Sequence, residues 1–237
     1  HYLPLTPDIM PELLISAAVF YVLLLFVMTV HEAAHAFVAD LCGDPTGRMM
    51  GRVSLSPFPH MDMIGTVVIP GLMILLPLFG GGLPFALIGW GKPVPVNPRN
   101  FRNYVRDDLL VSLAGPVSNI LMVVAAVILM QLVALTGAGI AVIAIERILF
   151  PLARIALVLG FFNLLPIPPL DGSHLIRPFL GHSGRMMYDR MAPYGFIVIL
   201  VLVNLSFFDR LFGFVNTLLV TAIRTFAPTA VALLSHA

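Results

Sequence analysis

Charge is scarce in this chain. Only 11% of its 237 residues are Asp, Glu, Lys or Arg, whereas 59% are hydrophobic and the mean hydropathy is +1.00. Soluble domains carry about 25% charged residues, and a soluble fold of this length has too little interior to hide so much apolar surface. A chain whose solvent is lipid has no such need. Cysteine is nearly absent too: Cys42 stands alone. That excludes an internal disulfide and every zinc ribbon or finger built on several cysteines, so a metal here must be held mainly by His and carboxylate. The net charge of +1 and the lack of a dense basic cluster leave no surface for nucleic acid, and none is expected as a partner. Internal repeats and low-complexity tracts are missing as well.

What is present is a series of apolar runs. Residues 11–41 open on Pro11 and Glu12 and read as one helix, longer than the ~20 residues that span a bilayer, with Gly43 as its stop. This run is too long for the core of a signal peptide and lacks a basic flank, so it is expected to be retained. Residues 44–61 are turn-rich around an alternating stretch, Arg52–Ser56, that reads as one or two short strands. Residues 62–79 are apolar, with a break or kink expected at Pro70-Gly71. The Gly- and Pro-rich stretch 80–103 contains an extended PVPV. A second span, 105–134, is expected to be interrupted at Ala114-Gly115-Pro116, and a turn at 136–139 leads to a third, 140–165. Two more apolar segments, 191–206 and 211–227, flank an expected turn at Asp209-Arg210. The expected fold is an all-α polytopic membrane protein of about five to six transmembrane segments, with a short β-strand or hairpin element near the active site. It forms one domain over 1–237, with a catalytic core at about 11–175 and a C-terminal helical hairpin at about 190–227.

The chemistry lies in HEAAH. His31 and His35 are spaced i, i+4, so their imidazoles share one helix face and can bind one Zn²⁺. Glu32 sits beside the metal without ligating it, placed to move protons. Ionisable groups inside an apolar membrane helix are costly and mark function. A catalytic zinc takes three protein ligands. Asp171, where the prolines of Pro168-Pro169-Leu170-Asp171-Gly172 break the helix, is the leading third ligand, and His174 competes with it. His60 and His182 read as interfacial, His60 with a possible outer role around the metal, and the terminal His1 and His236 as uninvolved.

Sharing one metal constrains topology. His31 and His35 lie near the C-terminal end of the first span and Asp171 follows the end of 140–165, so an even number of crossings must separate them. Residues 62–91 are therefore expected to enter and leave the membrane on one side. Arg48, Arg52, Lys92, Arg99, Arg102, Arg106, Arg177, Arg185 and Arg190 then share a side, which the positive-inside rule makes cytoplasmic. The active site is expected to open toward it.

These motifs resemble the site-2 protease family of intramembrane metalloproteases. The resemblance covers most of residues 20–175 and rests on HEAAHA (31–36), GDPTGRMMGRVSLSPFPHMDMIGT (43–66), GKPVPVNP (91–98), SLAGPVSN (112–119) and NLLPIPPLDG (163–172). It implies His31, His35 and Asp171 as ligands of one zinc, Glu32 as acid and base, and Asn119 as an aid to substrate or oxyanion. It also implies a transmembrane protein as substrate, often a membrane-anchored regulator, and a setting in a bacterial plasma membrane. SLSP stands where members often have a TLNP-like segment, and HMDMIG lacks a proline after Asp62. No insertion of PDZ or CBS size separates residues 119 and 163, so the chain resembles a minimal form. A membrane metal permease and an inactive protease-like scaffold are the other classes its composition admits. Oligomeric state is not legible.

Overall fold

The computed structural model describes residues 10–75, 90–137, 139–203 and 206–235. Helix α1 (Met10–Leu41) contains neither Gly nor Pro after Pro11, so nothing interrupts it. Glu12 lies in its first turn, where negative charge suits the helix dipole. Its end is a Schellman closure. The Asp44 amide donates to Ala39 (2.9 Å) and the amide of Gly43, at φ +106°, to Asp40 (3.1 Å). A four-residue helix, α2 (Thr46–Met49), follows.

Residues 52–56 form no strand. Ser54 Oγ accepts from the Ser56 amide at 3.1 Å, and Pro57 and Pro59 follow at once, so local bonds and missing donors replace a ladder. Among the described residues the extended element is limited to one antiparallel bridge, Met61 with Gly91. The Lys92 amide bonds the His60 carbonyl there at 2.9 Å. Asp62 caps a π-helical turn, Met63–Val68, by accepting from Ile64 and Gly65, and that turn runs into α3 (Ile69–Leu75). Pro70 lies inside α3 and does not break it. The expected return of the chain through 76–89, with its glycines at 80–82, lies outside the described residues.

Helix α4 (Tyr104–Ala134) is capped by Asn103, whose side chain accepts from Arg106 while Asp107 accepts from the Asn103 amide. The interruption expected at Ala114–Pro116 does not occur: Pro116 lies inside one continuous helix, as membrane helices tolerate when neighbours compensate the lost bond. After the turn at Thr136-Gly137, α5 (Gly139–Ala144), a π-helical turn (Ile145–Leu149) and α6 (Phe150–Asn163) follow without a gap. Beyond the Asp171 loop come α7 (Gly172–Ile176), α8 (His182–Met191), α9 (Gly195–Val203), α10 (Ser206–Phe226) and α11 (Pro228–Ser235). The turn expected at residues 209–210 is helical backbone within α10; the sharp bend comes later, where α10 and α11 meet at 101° around Pro228. Gln131 of α4 pins that bend, donating to Thr229 Oγ1 (2.8 Å) and accepting from the Thr229 amide (3.1 Å).

Two described helices, α1 from Pro11 and α4, are long and apolar enough to cross a bilayer, and three if the bent pair counts as one span. The expected five to six is not reached by such helices. The core where α1, α4, α6 and α10 meet is rich in small residues, with Ala126, Ala153 and Ala156 buried beside Val27, Met130 and Leu219. Small residues let apolar helices approach closely where lipid provides no hydrophobic drive.

A second junction joins the end of α1 to the segment before α4. Asp44 is fully buried and accepts from Thr46 Oγ1 (2.5 Å), the Asn97 amide (2.7 Å) and Asn100 Nδ2 (2.8 Å). Burial alone would raise its pKa, but the bonds from Thr46, Asn100 and Asn97 outweigh it and hold the carboxyl below its ordinary value. A depressed carboxylate stabilises the fold fully above the unfolded-state pKa of about 4, and loses that contribution as pH falls through the folded value. The thermal stability of the purified chain is therefore expected to fall below about pH 4, and less steeply in Asp44→Asn. Equal slopes would show that Asp44 is not a clamp.

Candidate metal centre

Three elements build the centre. α1 contributes His31 and His35, both buried, with ring centroids 4.7 Å apart. The loop between α6 and α7 contributes Asp171, and α4 supplies the wall behind the imidazoles. Asp171 Oδ2 stands 3.2 Å from His31 Nε2 and 3.3 Å from His35 Nε2, and the two Nε2 atoms are 3.1 Å apart. Among the described residues these three alone form such a group of metal-capable side chains.

The loop is aimed by its own prolines. Ile167 bonds back to Leu165 and Leu170 back to Ile167, both at 2.8 Å, across the cis Pro168-Pro169 bond. Gly172 closes it, since a Cβ there would lie 2.2 Å from the Leu164 carbonyl oxygen. His174 is not in the metal group. Its Nδ1 faces the Asp108 carboxylate of α4 at 3.2 Å, tying α7, and with it Asp171, to α4. His60 is buried with Nε2 3.0 Å from the Ser54 carbonyl, and His182 begins α8. His1 and His236 lie outside the described residues.

The donor set fits zinc. The Val111 carbonyl of α4 lies 2.7 Å from His35 Nδ1. A carbonyl only accepts, so Nδ1 carries the proton and Nε2 turns a bare lone pair toward the group. Such outer bonds orient metal-binding imidazoles. A lone pair facing another imidazole nitrogen and a carboxylate oxygen is repulsive unless a cation or proton lies among them. Asp171 Oδ2 and His31 Nδ1 are buried without a hydrogen bond. Atoms about 2.0–2.1 Å from zinc at tetrahedral angles stand about 3.3 Å from one another; the observed separations are 3.1 to 3.3 Å.

Gly115 permits the arrangement. A Cβ at that position would meet His31 Cε1 and His35 Nε2 at 2.4 Å and His31 Nε2 at 2.5 Å. The imidazoles thus lie directly against α4 backbone. One turn further along the helix, Asn119 is fully buried, and neither amide atom has a partner. Buried amides are nearly always bonded, which sets this side chain apart from its neighbours on α4. Glu32 is half-buried beside the pair, with no hydrogen bond among the described residues.

Sequence reasoning missed Gly115, the Val111 carbonyl and the Asp108–His174 tie. Only the first left a signal, a Gly-Pro pair inside an otherwise apolar helix.

The chain is 36% identical over 206 residues to "Putative zinc metalloprotease YwhC" of Bacillus subtilis (strain 168), covering 85% of this chain and 83% of that protein. The model of peptidase family M50 matches residues 126–206. The chain belongs to peptidase family M50, the site-2 protease family. This M50 chain is also 29% identical over 202 residues to "Putative zinc metalloprotease Rip2" of Mycolicibacterium smegmatis, covering 79% of the chain and 69% of that protein. The protein of that name in Mycobacterium tuberculosis (strain H37Rv) is 31% identical over 180 residues, or 74% and 62%. No solved structure gives a significant match. By family the M50 chain is a zinc metalloprotease, and its apolar helices fit it to a membrane.

Proposed function

We propose that this chain is an intramembrane endopeptidase that cuts transmembrane segments of membrane-anchored proteins, with His31, His35 and Asp171 holding one zinc. The observation that carries this reading is the convergence of two Nε2 atoms and one carboxylate oxygen within 3.3 Å of one another beside helices apolar enough to span. Zinc, when bound, supplies Lewis acidity and brings the ionisation of water down to about pH 7. Glu32 takes the proton from the attacking water and returns it to the departing amine. Asn119 Nδ2 donates to the oxygen of the scissile carbonyl as negative charge builds there. Asn119→Ala is expected to lower kcat by about 10²-fold or more while zinc content stays unchanged; normal turnover would remove Asn119 from the reaction.

A helical substrate hides its carbonyls in its own ladder and must be opened first. The extended segment 92–97 suits that task. Val94 and Val96 have no backbone partner among the described residues, and Pro93 and Pro95 lack donors, so one edge alone is fit for pairing. Val94→Pro is expected to slow cleavage without releasing zinc, and wild-type rates in that variant would refute the pairing.

The reading places one membrane-embedded catalytic unit in a bacterial plasma membrane, with its basic loops and active-site mouth on the cytoplasmic side. The test is the purified chain reconstituted in vesicles with a model single-span protein. Mass spectrometry should find fragments cut inside the span. Cuts confined to the flanking soluble tails would reject an intramembrane substrate.

A further inference from the structure

Of the three proposed zinc ligands, His31 and His35 sit on a continuous helix and Asp171 sits on a loop. His35 is also turned by the Val111 carbonyl. Among the described residues no hydrogen-bond donor outside the imidazole pair reaches the Asp171 carboxylate. Outer bonds usually orient a metal ligand. Without one, the carboxylate takes its place from the backbone that carries it.

Two sets of contacts fix that backbone. On the α7 side, Gly172 lies against the Leu164 carbonyl and His174 faces Asp108. The stretch before Asp171 is gripped by the C-terminal helices. Tyr188 of α8 donates its hydroxyl to the Pro166 carbonyl, 22 residues away in sequence. At the start of α9, Gly195 is buried against Pro168, which is buried too. A Cβ on Gly195 would stand 1.7 Å from the Pro168 carbonyl oxygen and 2.6 Å from its carbon, so any side chain there must displace the loop or the helix. Pro166 and Pro168 have no amide hydrogen, which leaves their carbonyls as the backbone groups a neighbour can hold. These two contacts bracket Ile167, whose carbonyl accepts from the Leu170 amide at 2.8 Å, one residue before the ligand. A shift at 166–168 is therefore carried to Asp171 within a single turn of chain.

We propose that Tyr188 and Gly195 are positioning residues for Asp171, so that the α8–α9 segment belongs to the metal centre. This rests on the zinc ligand set proposed above. Neither residue is in the metal group; both act through the loop. If they only fastened the C-terminal helices to the bundle, their loss would lower stability and leave metal affinity alone.

The test measures zinc affinity of the purified full chain by competition with a chromophoric chelator, with circular dichroism as the check on folding. Tyr188→Phe removes the hydroxyl alone and is expected to weaken zinc binding about tenfold, and Gly195→Ala about 100-fold, the range typical of groups that orient ligands. Gly213→Ala on α10, where an added Cβ meets nothing within 4 Å, should bind zinc as the wild type does. Because Tyr188 acts through Asp171, Tyr188→Phe should weaken binding no further in a chain already carrying Asp171→Ala. In the cobalt-loaded chain it should move the visible absorption toward that of Asp171→Ala. Wild-type affinity in either variant, once folded, overturns the proposal, as does an equal loss from Tyr188→Phe with and without Asp171. Should Gly195→Ala fail to fold, Tyr188→Phe decides. Asp171→Ala tells the two failures apart. Wild-type affinity in that variant overturns the ligand set and the positioning together. Weakened zinc there, with unaltered zinc in Tyr188→Phe, overturns the positioning alone.

Discussion

Gly115→Ala is expected to strip zinc from the chain and abolish cleavage. The added methyl would sit 2.4 to 2.5 Å from atoms of both imidazoles, far inside van der Waals contact, and each ring must then retreat by about 1 Å. Zinc sites tolerate ligand shifts of only about 0.2 Å, so the pair could no longer share an ion with Asp171. The same change makes α4 a better helix, since alanine is favoured over glycine by about 1 kcal/mol in a helix interior. Loss of metal and loss of fold thus separate. Zinc content measured by mass spectrometry should fall to background while helicity by circular dichroism holds. A Gly115→Ala chain with a full zinc complement would mean that the imidazoles do not rest on α4 as described.

Glu32→Gln carries the second large effect. The substitution keeps shape and hydrogen-bonding capacity and removes the ability to hold a proton. Glu32 lies outside the metal group, so zinc should remain. General acid–base catalysis contributes about 10²–10⁴-fold, and kcat is expected to fall within that range on a model single-span substrate. Turnover within a few-fold of wild type would assign the proton transfers elsewhere.

Much of this was legible because membrane insertion makes polar residues informative. Two histidines one turn apart inside an apolar run already mark a candidate ligand pair, and the break at Pro168–Gly172 points to Asp171, which the fold brings beside them. The buried, unpartnered amide of Asn119 was not legible from local sequence, since nothing local distinguishes an asparagine that bonds a neighbour from one left open. Other features depended on contacts distant in sequence. The role of Gly115 exists only because α1 packs against α4, and the Asp108–His174 tie joins residues 66 apart. The expected strand at 52–56 failed because Ser54 bonds its own backbone, a preference that alternation of side chains does not reveal. The break expected at Pro116 failed for a different reason: α4 stays helical through it, packed between α1 and α6.

X-ray absorption at the zinc edge of the purified chain tests the central claim most directly. The account predicts one zinc per chain bound by two imidazole nitrogens and a carboxylate oxygen, with the carboxylate contribution lost in Asp171→Ala. A spectrum unchanged by that substitution, or a chain purified with intact activity and no zinc, would contradict it.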